Sequence, residues 1–182
     1  AGEQVGIDPS LVSPDQPYFL PYLMGERSPH NDPLARGAFV GLSGLHGKGH
    51  MYRAILEAIA LEERLLTTGV ESATGRLLDE IVLLGGGARS PLWCQIIANV
   101  LGRTVRLARE QESTALGAGI HAAAAAGLFP GLREAADAMT GVSKSFTPDP
   151  KSHDRYSGIF EAYRSIYPGL KTTFRLISET TP

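Results

Sequence analysis

The segment whose residue types and spacing could do chemistry is Ile81-Val82-Leu83-Leu84-Gly85-Gly86-Gly87-Ala88-Arg89-Ser90-Pro91. Glycine lets a backbone meet a ligand where a side chain would collide, and it tolerates positive φ. Ser90 is a good helix N-cap, and Pro91 stands at the first helical position. Unpaired N–H groups at a helix start favour an anion or a polar ligand. The four apolar residues in front suit a central strand covered on both faces. A strand, a glycine turn and a helix start in that order point to nucleotide contact. The alternative is an ordinary tight βα connection, which needs one glycine but hardly three.

Other chemistry does not fit. The turn is out of register with the dinucleotide fingerprint G-x-G-x-x-G, and no acidic residue follows at the end of the next strand. No Gly-Lys-Ser/Thr phosphate loop and no G-x-S-x-G nucleophile elbow occurs. His30, His46, His50, His121 and His153 lack the paired spacing with acids that zinc requires. The single cysteine, Cys94, lies on an apolar helical stretch and reads as a buried structural thiol rather than a nucleophile.

The turn must be positioned by its neighbours. From His50 the period is helical: Met51, Ala54, Ile55, Ala58, Ile59 and Leu65 form a buried face. Arg53, Glu57, Glu62 and Arg64 decorate the other, Arg53/Glu57 as a surface i, i+4 pair, and Gly69 is a plausible stop. A helix over 91–101 closed by Gly102, a short strand over 104–107 and a small-residue helix over 112–126 follow. The small side chains of that last helix (Ala115, Gly117, Ala118, Gly119, Ala122) suit close packing or room for a flat ligand. Helices are expected over 132–139 and from Pro150 onward, the latter broken or kinked at Pro168-Gly169. Upstream, 18–23 is at best an edge or bent strand, and 39–42 a short one. The polar loop 25–37 holds Glu26, Arg27 and His30, with Glu26 and Arg27 expected to form an internal salt bridge and Asp32 a turn. Strands alternating with helices imply a layered α/β domain with a mainly parallel sheet, most clearly at 80–101 and 104–126.

The composition bounds the class. At 182 residues, 43% hydrophobic and 20% charged, the chain is an ordinary globular protein of one sizeable domain. Residues 1–17 read as an irregular lead-in and 18–182 as the domain. A net charge of −2 gives no footprint for nucleic acid. No apolar run approaches the ~20 residues that span a bilayer, and no signal peptide is visible, so no membrane partner is expected. One cysteine excludes an internal disulfide framework and fits a reducing, cytoplasmic setting.

A resemblance sharpens this reading. Gly37-Ala38-Phe39-Val40-Gly41-Leu42, seven residues, then His50-Met51-Tyr52-Arg53-Ala54-Ile55-Leu56-Glu57 looks like the C-terminal motif of the FGGY carbohydrate kinases. The stretch Leu20-Pro21-Tyr22-Leu23-Met24-Gly25-Glu26-Arg27-Ser28-Pro29-His30-Asn31-Asp32-Pro33 resembles the xylulokinase branch. The glycine turn and Glu112-Ser113-Thr114-Ala115-Leu116-Gly117-Ala118 complete the pattern. The resemblance implies an actin-like (ribonuclease H-like) ATPase fold, of which this chain is the second lobe. It implies ATP with Mg2+, a sugar such as D-xylulose as acceptor, and an N-terminal kinase domain as partner. By that match Gly85, Gly86, Gly87 and Ala88 line the nucleotide, with Ser90 and Pro91 at its edge. The family's Asp-x-Gly-Thr hairpin and catalytic aspartate have no counterpart here, so no catalytic residue and no metal ligand is assigned. The chain, which opens Ala1-Gly2-Glu3-Gln4, is expected to be the C-terminal third to two-fifths of a sugar kinase, inactive alone. A non-catalytic nucleotide-binding module, or a family member acting on glycerol, gluconate or ribulose, are the rival readings. Tyr156, Phe160, Tyr163 and Tyr167 are expected to pack within the chain; packing against a second subunit, a homodimer, stays open.

Overall fold

The alternating runs become five strands and five α-helices among the described residues, 16–110 and 112–180 of a computed structural model. All but the last two residues of the expected lead-in lie outside them. Strand β1 (Tyr18–Leu20) pairs antiparallel with β2 (Ala38–Val40), Phe19 opposite Phe39 with ring centroids 4.5 Å apart. Helix α1 (Lys48–Thr74) follows, then β3 (Ile81–Leu83), a 3-10 turn (Gly86–Arg89) and α2 (Pro91–Leu101). The chain continues through β4 (Val105–Ala108), α3 (Ser113–Ala125), α4 (Leu132–Met139), β5 (Val142–Phe146) and α5 (Pro150–Thr180).

The second sheet is mixed. β3 and β4 run parallel, as the two βα units require, but β5 adds antiparallel to the far side of β4. The expected mainly parallel sheet is thus confined to one strand pair. β5 was not legible as a strand: Val142-Ser143-Lys144-Ser145-Phe146 is polar and exposed except at Phe146. β4 is central and β3 lies at the edge. The four-residue apolar run is therefore not covered on both faces here: Val82 is 49% and Leu84 53% exposed. Alternation decides which side is covered. Ile81, Leu83, Val105 and Phe146 join the core with α2, and Val82 faces away.

α2 is the centre of the core. Cys94, Ile96, Ile97, Ala98, Val100 and Leu101 are all buried, so this short helix is apolar on most of its circumference and is packed by α1, α5 and the sheet. Its ends match the expectation: Ser90 accepts from the Trp93 N–H at 3.3 Å, Pro91 opens the helix, and Gly102 ends it.

Two helices run longer than expected. α1 continues through Gly69 and ends at Gly75. One interior glycine costs only about 1 kcal/mol, and the last turn is anchored. Glu71 pairs with Arg103 and accepts the Leu78 N–H at 2.7 Å, and Arg103 holds the Glu71 carboxyl below the usual carboxylate range. α5 runs unbroken past Pro168-Gly169. An interior proline costs about 3 kcal/mol, against which α5 buries Tyr156, Phe160, Tyr163, Tyr167 and Phe174 along one stripe. These aromatics pack within the chain, as expected.

The polar face expected for α1 is not a solvated face. Arg53 and Glu57 are 3% and 4% exposed. The Arg53 Nε donates to Glu57 Oε1 at 2.6 Å, and its Nη2 donates to the Tyr156 hydroxyl at 2.8 Å. Tyr156 in turn donates to Glu57 Oε1 at 2.7 Å. Arg64 reaches the Val100 carbonyl and the Ser157 hydroxyl and lies over the Phe160 ring. α5 covers this face, so the surface pair is a buried triad.

Candidate functional site

Gly85 leaves β3 with φ of 89°, a left-handed conformation that strains any residue with a side chain. The chain then closes a 3-10 turn, with the Ala88 N–H on the Gly85 carbonyl at 3.2 Å and the Ser90 N–H on the Gly87 carbonyl at 3.1 Å. Helix α2 begins only after this turn, so strand and helix are not joined directly. Among the described residues, the N–H groups of Gly86 and Gly87 have no acceptor.

The three glycines do three different jobs. Gly85 supplies the positive φ. A Cβ built on Gly86 would meet nothing within 4 Å, so that residue faces open space. A Cβ on Gly87 would stand 2.0 Å from Cζ3 of Trp93. The packing of Gly87 against an indole, rather than against a ligand, therefore requires its missing side chain. Trp93 is fixed from its other end: its ring N–H donates to the Leu56 carbonyl of α1 at 3.2 Å.

Ala88 is buried, and its N–H is already held by the Gly85 carbonyl. Its carbonyl accepts from Cys94 Sγ at 3.4 Å. Burial pushes the Cys94 thiol up, which fits a structural cysteine. Ser90 is half-buried as the cap of α2, and Pro91 is exposed beside it. The turn thus presents backbone donors and small surfaces but no titrating side chain. It can hold a polar ligand; it cannot move a proton.

Beside the turn lies a groove of about 370 Å³. Val82, Leu84 and Ala108 line it from the sheet, Leu116 and Ile120 from α3, and Val142 from β5. It opens at the carboxyl ends of β3 and β4, where open α/β sheets hold ligands. Sequence reasoning missed these residues; the one signal was the small-residue content of α3. That helix does not achieve the close sheet packing considered for it. Only Ile120 is buried, Ala115, Ala118 and Ala122 are exposed, and α3 leans on α4. The exposed pair Arg89–Glu112, at 3.7 Å, bridges the turn to the entry of α3.

The polar loop 21–37 is organised differently from expectation. Glu26 is buried, but no Glu26–Arg27 ion pair forms among the described residues; Arg27 is exposed. Instead Glu26 Oε2 accepts the backbone N–H groups of His30 at 2.7 Å and Asn31 at 3.0 Å. A buried carboxylate beside unpaired amides forms charge-assisted bonds with them before it reaches for an exposed guanidinium. Asp32 is the turn residue expected: Oδ1 accepts the Leu34 N–H at 2.9 Å, and Oδ2 accepts the Tyr167 hydroxyl at 2.7 Å. Those two bonds, Tyr167 foremost, hold its carboxyl below the usual range. His30 stacks on Tyr167 at 4.0 Å, and Tyr22 and Tyr163 both donate to Glu62 Oε1. Burial raises the Glu62 carboxyl although both hydroxyls pull it down. Asp32 and His30 are thus tied to α5 through Tyr167, whereas Glu26 is tied to its own loop.

Among the described residues no group of three or more His, Cys, Asp or Glu side chains could hold a metal ion. No helix among them is long and apolar enough to cross a membrane.

With this geometry in hand, residues 8–126 match the model of the FGGY family of carbohydrate kinases, C-terminal domain. The xylulose kinase of Staphylococcus epidermidis is 33% identical over 153 residues, which cover 84% of this chain and 31% of that relative. The solved xylulose kinase of Rhodospirillum rubrum superposes with a TM-score of 0.76 at 32% identity, over 94% of this chain and 33% of that one. The gluconate kinase of Lactobacillus acidophilus superposes with a TM-score of 0.79 at 32% identity, over 88% and 32%. The chain therefore spans about a third of the length of the relatives it matches.

Proposed function

The chain belongs to the FGGY family of carbohydrate kinases, and on that premise we propose that it is the nucleotide-holding part of a sugar kinase. The protein would transfer the γ-phosphoryl of ATP to a sugar hydroxyl, with D-xylulose going to xylulose 5-phosphate. Residues 18–182 form the nucleotide-binding domain of this reading. The observation that carries the site is Gly86: open space where its side chain would be, with Gly86 and Gly87 N–H groups that have no acceptor among the described residues. Backbone donors suit phosphate and ribose oxygens and let the ligand approach without a collision. Gly85 sets the entry, Gly87 and Ala88 hold the turn to the core, and Ser90 and Pro91 form the edge.

Mg2+, when bound with the nucleotide, would supply charge neutralisation at the phosphates. The described residues supply no cage for it, so the ion is assigned to the phosphate oxygens and to groups outside this chain. The catalytic base is assigned there too. Asp32 accepts from Tyr167 and from the Leu34 N–H, and a carboxylate held low and hydrogen-bonded this way is a poor base. The N-terminal kinase domain is the partner that this reading requires. The single, buried thiol is consistent with a cytoplasmic setting.

A second reading, another sugar or sugar acid as acceptor, is favoured by the equal likeness to the gluconate kinase. A substrate panel decides between these acceptors. The nucleotide assignment is tested by calorimetric titration of the chain with ADP and Mg2+. Saturable binding that Gly86→Val abolishes, with far-UV dichroism unchanged, is the expected result. A well-folded chain whose ADP affinity is the same in wild type and Gly86→Val would overturn the site.

A further inference from the structure

We propose that Trp93 is the positioning residue of the nucleotide turn: its indole is the floor on which Gly87 closes, and its ring N–H ties that floor to α1. The inference rests on the nucleotide reading above, and its test separates the two.

The turn has little of its own to hold it. It is four residues long, two of them glycines, and it follows a third glycine. Fixing one residue's backbone costs about 1–2 kcal/mol, and glycine loses the most freedom. The turn's two flanking hydrogen bonds, at 3.2 and 3.1 Å, are ordinary in length. Something outside the turn must select its conformation.

Trp93 is placed to do that. The indole occupies the volume into which a Gly87 side chain would project, with Cζ3 2.0 Å and both Cε3 and Cη2 2.9 Å from the position of such a Cβ. The ring cannot drift, because it is held at both ends. Its backbone N–H is on Ser90 Oγ at 3.3 Å, and its ring N–H is on the Leu56 carbonyl at 3.2 Å. Cys94, the next residue, fastens the Ala88 carbonyl. The first turn of α2 therefore grips the glycine turn at Gly87 and Ala88 and leaves Gly86 open. Through Leu56 the same indole makes the turn sensitive to where α1 sits.

Trp93 is the single tryptophan of the chain, so its fluorescence reports this contact without background. The experiment compares the full chain with Trp93→Leu, which removes the flat ring, and Trp93→Phe, which keeps a ring but loses the tie to Leu56. ADP affinity by calorimetry is read beside hydrogen exchange of the Ala88 and Ser90 amides. Trp93→Leu is expected to weaken ADP at least tenfold and to speed exchange at those two amides selectively. Trp93→Phe is expected to restore part of both, the remaining deficit reading the lost tie to Leu56. A purely structural role would lower the melting temperature without moving the affinity of the folded protein. Unchanged affinity and unchanged exchange in a folded Trp93→Leu chain would overturn the proposal. If the wild type itself does not bind ADP, the nucleotide reading fails, and exchange at Ala88 and Ser90 alone decides the role of Trp93. If Trp93→Leu does not fold, wild-type fluorescence decides: a shift in Trp93 emission on saturable ADP binding upholds the proposal, and its absence overturns it.

Discussion

The glycine turn and the seam between α1 and α5 handle polar groups in opposite ways. Along the seam, Arg53, Glu57 and Tyr156 satisfy one another, and Glu62 collects two tyrosine hydroxyls. The loop carboxylates Glu26 and Asp32 are likewise bonded to backbone and to Tyr167. At the turn, by contrast, the Gly86 and Gly87 N–H groups have no acceptor among the described residues, and the side-chain position of Gly86 is open. The seam contains more charge and more perturbed titrations than the turn. It is nonetheless at the turn that we propose a ligand binds, because the charge of the seam is already engaged internally. Satisfied polarity stabilises; unsatisfied, accessible polarity binds.

The largest effect expected from breaking this contrast lies in the seam. Arg53→Met leaves the Glu57 carboxylate buried with Tyr156 as its remaining donor, which costs about 3–5 kcal/mol. Denaturant unfolding should show it, and a loss below ~1 kcal/mol, the range of a surface pair, would contradict the buried triad.

Within the turn, the two neighbouring glycines should separate cleanly. Gly87→Val drives a branched side chain into Trp93 and should destabilise the fold by about 1–3 kcal/mol, as overpacking does. Gly86→Val should leave stability within about 0.5 kcal/mol while removing ADP binding. If both variants lose stability equally, the turn is simply packed like the seam, and the contrast fails.

The smallest effect concerns pH. Tyr167 and the Leu34 N–H lower the Asp32 carboxyl in the folded chain. A lowered folded value means stability that is present above the unfolded value, near ~3.9, and lost as pH falls through the folded one. Tyr167→Phe should therefore flatten the drop in melting temperature between about pH 5 and about pH 3. Glu62 has the opposite sign. Its folded value is raised by burial, so its contribution is present at low pH and is lost as pH rises through that raised value. A steeper acid-side drop in Tyr167→Phe than in wild type would refute the Asp32 account.

Legibility followed the range of the interactions. The bounds of α2 were readable because Ser90, Pro91 and Gly102 act within a few residues of themselves. Cys94 was readable as a core thiol because the run around it is apolar. The glycine turn was readable as the connection between a strand and a capped helix, but not the division of labour among its three glycines. Gly87 answers to Trp93, six residues on, and Trp93 answers to Leu56, 37 residues back. The groove lined by Leu84, Leu116 and Val142 was signalled only by the small residues of α3, since it unites a strand edge, a helix and an unforeseen strand.

The sequence by itself therefore determined the caps of α2, the helix that carries the core, the parallel βα pair and the family. Each of these rests on local backbone preference or on ordered motifs along the chain. Tertiary structure alone decided that the charged face of α1 is interior, because Tyr156 arrives 99 residues after Glu57 to complete it. It alone decided that Pro168 is tolerated, because an aromatic stripe outweighs a local defect. It also decided that β3 is an edge strand, because exposure depends on what packs alongside and not on the apolarity of the strand itself.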